Sequence, residues 1–186
     1  MAEYKKTEIR LSGSGGQGLI TAGIILARAA VIDKARVTQT QSYGPESRGG
    51  ASRADVIIAN DDIFYPEATR FDILLALTQE ACDKYLFDLK PKGTLVADSS
   101  FVKNISLISS NIYEVPFTEI ALKELGSELP TNIMTLGFLV KMTNVVSVEA
   151  LEESVKQWAK PAFLDLNMKA LKIGYDLYEK HKLKQV

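Results

Sequence analysis

Apolar and polar residues alternate through Glu8-Ile9-Arg10-Leu11-Ser12; after Gly13-Ser14-Gly15-Gly16-Gln17-Gly18 the chain turns apolar from Leu19 through Ala27. A period of two, a cluster of glycines and a long apolar run predict strand, tight turn and helix. A second strand is expected at Arg36-Val37-Thr38-Gln39-Thr40, ending in Gln41-Ser42-Tyr43. From Ala51 to Ala59 alternation gives way to a continuous apolar stretch, and Phe71 to Leu77 is apolar almost throughout. Strands covered on both faces lose their alternation, so the first is expected to enter the centre of a sheet and the second to be a parallel strand. Ile63-Phe64-Tyr65-Pro66 reads as an extended piece stopped by proline.

Thr78 is placed to cap a helix reaching Tyr85 and Leu86. Lys90-Pro91-Lys92-Gly93 predicts a turn before a strand at Thr94 to Asp98, and a further strand is expected at Asn111 to Val115. Phe117 to Leu125 then carries apolar residues at helical spacing. From Pro130 onward the pattern is helical only: a helix capped by Thr131 or Asn132, a second capped by Ser147, and a third from about Ala162 into the tail. The predicted fold class is α/β: a three-layer, Rossmann-like open sheet, mostly parallel, with a C-terminal helical layer on the same core. With 186 residues, 46% of them hydrophobic, a single domain spanning 1–186 is expected.

Charge narrows the partners. Twenty-two basic against 23 acidic side chains leave a net charge of −1, too weak a field to hold nucleic acid or an anionic membrane. The N-terminus carries mixed charge with no apolar run after it, and the apolar stretch from Leu19 to Ile32 is broken by Arg28. It is too short to span a bilayer, so a cytoplasmic location is expected. The one cysteine, Cys82, excludes an internal disulfide or an iron–sulfur cluster held by this chain's own thiolates, and is expected to be buried on a helix. The one histidine, His181, sits in a basic tail, where a solvated helix end is expected.

Gly13, Gly15 and Gly18 have the G-x-G-x-x-G spacing of a strand-to-helix turn that receives a phosphate on unpaired amides. A dinucleotide site also needs a carboxylate near the end of the second strand, and Gln41-Ser42-Tyr43 supplies none. A phosphate or pyrophosphate site and a turn that serves packing alone both remain open. There is no metal-spaced His/Cys/Asp cluster and no G-x-S-x-G elbow; Gln17-Gly18-Leu19 stands where an NTPase loop has Lys-Ser/Thr. What remains is a recognition edge, made by the turn and a second glycine-rich loop, Gln41-Ser42-Tyr43-Gly44-Pro45-Glu46-Ser47-Arg48-Gly49-Gly50. Ligands of open α/β sheets sit at the carboxyl ends of strands, so both loops are expected to face one crevice. Gln17, Ser42, Tyr43, Glu46, Ser47, Arg48, Ser52 and Asn132 are its candidate polar groups. Each also has a purely structural reading, with Glu46 as an ion-pair partner of Arg48, Tyr43 as a core aromatic and Asn132 as a helix cap.

The pairing of Gly13-Ser14-Gly15-Gly16-Gln17-Gly18 with Ser42-Tyr43-Gly44-Pro45-Glu46-Ser47-Arg48-Gly49-Gly50 resembles the gamma subunit, or fused gamma domain, of the 2-oxoacid:ferredoxin oxidoreductases. Ala76-Leu77-Thr78-Gln79-Glu80-Ala81, Asn132-Ile133-Met134-Thr135-Leu136-Gly137 and the stretch from Asn167 through Gly174-Tyr175 extend the resemblance over nearly the whole chain. It is most similar to subunits of 2-oxoglutarate:acceptor oxidoreductase, with pyruvate and branched-chain 2-oxoacid enzymes close behind. The resemblance implies a non-self-sufficient subunit of an enzyme that decarboxylates a 2-oxoacid oxidatively with coenzyme A as co-substrate and passes electrons to ferredoxin or flavodoxin. It places thiamine diphosphate, magnesium and iron–sulfur clusters in companion alpha, beta and delta subunits. It implies that Gly13, Gly15, Gly16, Gln17, Gly18, Ser42, Tyr43, Gly44, Pro45, Glu46, Arg48, Gly49, Gly50 and Asn132 bind coenzyme A phosphates or a neighbouring subunit. Without its partners, the chain is expected to expose an apolar patch and to pair with itself. The alternatives are a stand-alone NAD(P)-binding oxidoreductase and a purely structural interface subunit.

Overall fold

The computed structural model describes residues 6–42, 51–106 and 111–184. Six strands form one sheet: β1 (Thr7–Ser14), β2 (Arg36–Ser42), β3 (Ala51–Ala59), β4 (Phe71–Ala76), β5 (Leu89–Asp98) and β6 (Asn111–Val115), in the order β2-β3-β1-β4-β5-β6. The pairings β1·β4, β4·β5 and β5·β6 are parallel, whereas β3 runs antiparallel to both β1 and β2. The apolar run of β3 reports burial on both faces, as expected, but β3 lies second from an edge and is antiparallel. The connection from β2 is residues 43–50, too short for the crossover that a parallel neighbour requires.

One face of the sheet carries α1 (Leu19–Ile32), α3 (Phe117–Leu125), α4 (Thr131–Thr143), α5 (Val148–Trp158) and α6 (Leu164–Lys184). The other carries α2 (Gln79–Tyr85) and the 3-10 turn Leu86–Asp88. The strands' period of two sorts their side chains between these layers: Ile9, Leu11, Val56, Ile73, Leu75 and Val96 face the larger layer, and Phe71, Leu74, Leu95 and Ala97 the smaller. The C-terminal helices thus cover the same core as α1. Helix caps follow the residues expected at two positions, since Thr78 Oγ1 accepts the Ala81 amide and Ser147 Oγ the Ala150 amide.

Three local readings change. The expected turn at Lys90-Pro91-Lys92-Gly93 lies within β5, as an irregularity where Phe71 pairs with Leu89 and Ile73 already pairs with Thr94; Lys92 takes φ +64° there. Asn132 does not cap α4, whose first residue is Thr131 and whose cap position is Pro130. His181 is half-buried, its ring 5.9 Å from that of Phe138 and 6.4 Å from that of Tyr113, so it packs as well as ends a helix.

The alternation in β1 does not separate core from solvent. Glu8, Arg10 and Ser12, its polar set, are all buried. Arg10 Nε and Nη2 donate to the two oxygens of Asp55 at 2.7 and 2.8 Å, Nη2 also donates to the Ala68 carbonyl, and the guanidinium lies 4.6 Å from the Phe71 ring and 4.8 Å from that of Tyr85. A planar cation with five donors suits this slot between two rings. Breaking such a pair strands the other charge, which costs about 3–5 kcal/mol. Arg10→Met is therefore expected to lower the denaturation midpoint strongly and Arg10→Met/Asp55→Leu to recover much of the loss; urea titration of the three proteins checks this, and a double variant no better than the single would show that charge burial is not the cause.

Candidate functional site

The carboxyl ends of β1, β4 and β5 meet the N-terminal ends of α1 and α4 along one edge of the sheet. Ser14 at the end of β1 pairs with Ala51 at the start of β3, and Ser42 at the end of β2 pairs with Arg53. The two ends of the second glycine-rich loop therefore leave the sheet on the same edge as the glycine turn. Tyr43, Gly44, Pro45, Glu46, Ser47, Arg48, Gly49 and Gly50 themselves lie outside the described residues.

Two amide side chains shape the turn from within. Gln17 Oε1 accepts the Ser14 amide at 2.8 Å; it occupies the space a side chain at Gly13 would need, because a Cβ there would stand 2.3 Å from Oε1. At the other end Gly18 adopts φ +71° and ψ 24°, and its carbonyl accepts the Asn132 Nδ2–H at 3.0 Å. Between them, Gly15 and Gly16 form an exposed crest. Gly16 needs its glycine for φ +91°, but Gly15 has ordinary φ, and a Cβ on it would come no closer than 3.9 Å to anything. Nothing inside the described chain therefore demands glycine at position 15. After the crest, no side chain caps α1, so its first amides have neither an intrahelical carbonyl nor a capping oxygen.

Hollows flank the crest on both sides. One of about 400 Å³ lies toward α3 and α4 and is lined by Ser14, Gly15, Gly16, Gln17, Leu77, Phe101, Thr118, Glu128, Leu129 and Thr131. The other, about 210 Å³, reaches from the crest to Thr21 and Ser52. A third cleft of about 400 Å³ is mostly apolar, bounded by Leu129, Ile133, Trp158, Phe163 and Leu166, with Thr21, Asn132, Lys160 and Asn167 also in its lining. Leu129, Trp158 and Phe163 are 73%, 40% and 50% exposed, and Phe101 stands 46% exposed beside the crest. Sequence reasoning brought Gln17, Gly18, Ser52 and Asn132 to this edge. It did not single out Phe101, Leu129, Trp158 and Phe163, whose exposure only packing reveals.

The geometry also bears on a dinucleotide. In that fold the ribose-binding carboxylate ends the strand beside β1. Here antiparallel β3 intervenes, and β2 ends in Gln41-Ser42.

Residues 8–177 match the family described as pyruvate ferredoxin/flavodoxin oxidoreductase. The chain belongs to this family. The 2-oxoglutarate synthase subunit KorC of Methanocaldococcus jannaschii is 41% identical over 175 residues, which span 92% of this chain and 94% of that protein. A keto/oxoacid ferredoxin oxidoreductase gamma subunit from Geobacter sulfurreducens shares 44% identity and superposes with a TM-score of 0.85, over 94% of this chain and 99% of that one. A 2-oxoglutarate:ferredoxin oxidoreductase from Magnetococcus marinus, solved with 2-oxoglutarate, coenzyme A and succinyl-CoA bound, gives a TM-score of 0.85 at 25% identity; the match spans 96% of this chain but 32% of that one. This member of the pyruvate ferredoxin/flavodoxin oxidoreductase family is thus of gamma-subunit type, one non-self-sufficient part of an oxidoreductase.

The chain's own donors do not fit a cluster. Cys82, its one thiol, is buried in α2, and burial together with the neighbouring Asp83 charge pushes it up to about 11. Among the described residues no three His, Cys, Asp or Glu side chains converge on a metal position, and no helix is long and apolar enough to cross a membrane.

Two outcomes are expected. Gly13→Ala must displace the Gln17 amide and should lower Tm, whereas Gly15→Ala should leave Tm unchanged; a scanning-calorimetry comparison in which both variants destabilise alike would show that the crest is under internal constraint. Iodoacetamide at pH 8 should leave Cys82 unmodified in the native protein and alkylate it in urea, as read by intact mass; rapid native labelling would mean that α2 opens.

Proposed function

We propose that the chain is the gamma subunit of a 2-oxoglutarate:ferredoxin oxidoreductase, in which 2-oxoglutarate, coenzyme A and an oxidised ferredoxin or flavodoxin give succinyl-CoA, carbon dioxide and the reduced carrier. The carrying observation is end-to-end similarity, about equal in both directions, to the 2-oxoglutarate synthase subunit of M. jannaschii. Pyruvate synthase subunit PorC of Thermotoga maritima is 31% identical over 182 residues, a weaker likeness that favours 2-oxoglutarate over pyruvate.

In this reading thiamine diphosphate, magnesium and the iron–sulfur clusters reside in companion alpha, beta and delta subunits, and this chain contributes to the docking of coenzyme A. The crest at Gly15 and Gly16, the uncapped amides from Gly18 onward, and Arg48 with the rest of the 43–50 loop receive phosphates. Backbone amides at a helix start and a guanidinium are the groups that bind phosphate without adding a catalytic function. Gly15 supports this, since a glycine that the described residues do not require leaves room for another body to approach. The same feature supports a second reading, in which the crest meets the backbone of the alpha subunit; the exposed Leu129, Trp158 and Phe163 near it favour a covered edge.

The complex recovered by gentle purification through a tag on this chain is expected to contain companion subunits, thiamine diphosphate and iron, and to reduce viologen with 2-oxoglutarate plus coenzyme A. Arg48→Ala should raise the KM for coenzyme A while the complex stays intact. Unchanged coenzyme A dependence with dissociating subunits would establish the second reading, and a chain that elutes alone and inert would overturn both.

A further inference from the structure

We propose that Asn132 is a positioning residue that acts through the Gly18 carbonyl, setting the direction of the amides at the start of α1 without itself touching the ligand. The inference rests on the coenzyme A reading above for its kinetic consequence, and on geometry alone for its structural one.

Asn132 stands in the first turn of α4, 7% exposed, and both ends of its amide are committed. Oδ1 accepts the Ile133 amide at 2.9 Å, which leaves Nδ2 facing the Gly18 carbonyl at 3.0 Å, 114 residues away in sequence. That carbonyl also accepts the Ala22 amide at 2.9 Å, the first hydrogen bond of α1. Asn132 therefore holds the one peptide group whose orientation starts the helix. The approach is close on the turn side, because a Cβ at Gly18 would stand 2.4 Å from Nδ2. On the α4 side Asn132 is braced as well: its carbonyl accepts Thr135 Oγ1–H at 2.8 Å, and Thr131 Oγ1 donates to the Glu128 carbonyl at 2.7 Å. A body arriving at the exposed crest meets Gly15 and Gly16, while Asn132 supports the turn from beneath.

Aspartate separates this role from that of an ordinary residue at a helix start. It matches asparagine in shape, still accepts the Ile133 amide, and adds a negative charge where the helix dipole favours one. It has no hydrogen to offer Gly18 and sets a carboxylate oxygen against a carbonyl oxygen. Helix stability thus favours aspartate over alanine at this position, and turn geometry disfavours it.

The test uses the assembled oxidoreductase carrying Asn132→Asp or Asn132→Ala, with two readouts: the KM for coenzyme A against kcat, and hydrogen–deuterium exchange of the peptide covering residues 13–20. Expected is a KM raised about tenfold in the Asp variant, the scale of one lost hydrogen bond plus a repulsion, a smaller rise in the Ala variant, kcat near wild type in both, and turn exchange faster in the same order. An Asp variant that matches wild type while Ala is impaired is the order of a helix-start residue and overturns the proposal. Should the Asp complex not assemble, unchanged KM and unchanged exchange in the Ala complex overturn it equally. A wild-type complex whose turnover ignores coenzyme A refutes the coenzyme A reading, and the exchange order then decides the positioning role by itself.

Discussion

At Gly137 and Gly174, helices α4 and α6 approach so closely that neither position has room for a side chain. A Cβ on Gly174 would lie 2.1 Å from the Met134 carbonyl oxygen, and one on Gly137 2.4 Å from that of Leu171. Backbone-to-backbone contact of this kind leaves no rotamers to adjust, and overpacking it forces the main chain to move. Helix α4 is consequently buried from Thr131 through Val140, with α6 behind it and the sheet in front. The first turn of α4 lies beside the carboxyl edge of the sheet, and from there Asn132 reaches the glycine turn.

The edge built this way combines rigidity and openness. Gln17 and Asn132 occupy the inner sides of the turn, and among the described residues nothing crowds the crest they frame. Around it stand Phe101, Leu129, Trp158 and Phe163, large apolar side chains with much of their surface in solvent. A relative from Magnetococcus marinus carries this same unit as about a third of a longer chain.

The smaller layer follows a different logic. There the sheet buries Arg10 and Asp55 between Phe71 and Tyr85, and the Tyr85 hydroxyl donates to the Ala51 carbonyl at 3.3 Å. Ala51 is the residue at which the chain re-enters the sheet after the second glycine-rich loop. The buried ion pair and its aromatic walls thus anchor one end of that loop, as the amide pair anchors the turn.

Element types and their order were legible in the chain because they follow from periodicity, turn residues and caps, which are local: the β1–turn–α1 unit, the caps at Thr78 and Ser147, and the C-terminal helices all appear where spacing placed them. The glycine turn likewise carried part of the family resemblance, since φ above zero at Gly16 and Gly18 and the Gln17 side chain folded back on Gly13 restrict residue type at those three positions. Strand direction was not legible at β3, because an apolar run reports burial on two faces and is silent about polarity of the chain. The fate of polar residues was not legible either: Arg10 sits in the core and Asn132 reaches the Gly18 carbonyl from the first turn of α4, and each depends on a partner 45 or 114 positions away. Local pattern carries the propensity of a segment, but hydrogen-bond partners and exposed edges arise only when distant segments meet, which is why the tertiary fold alone assigns them.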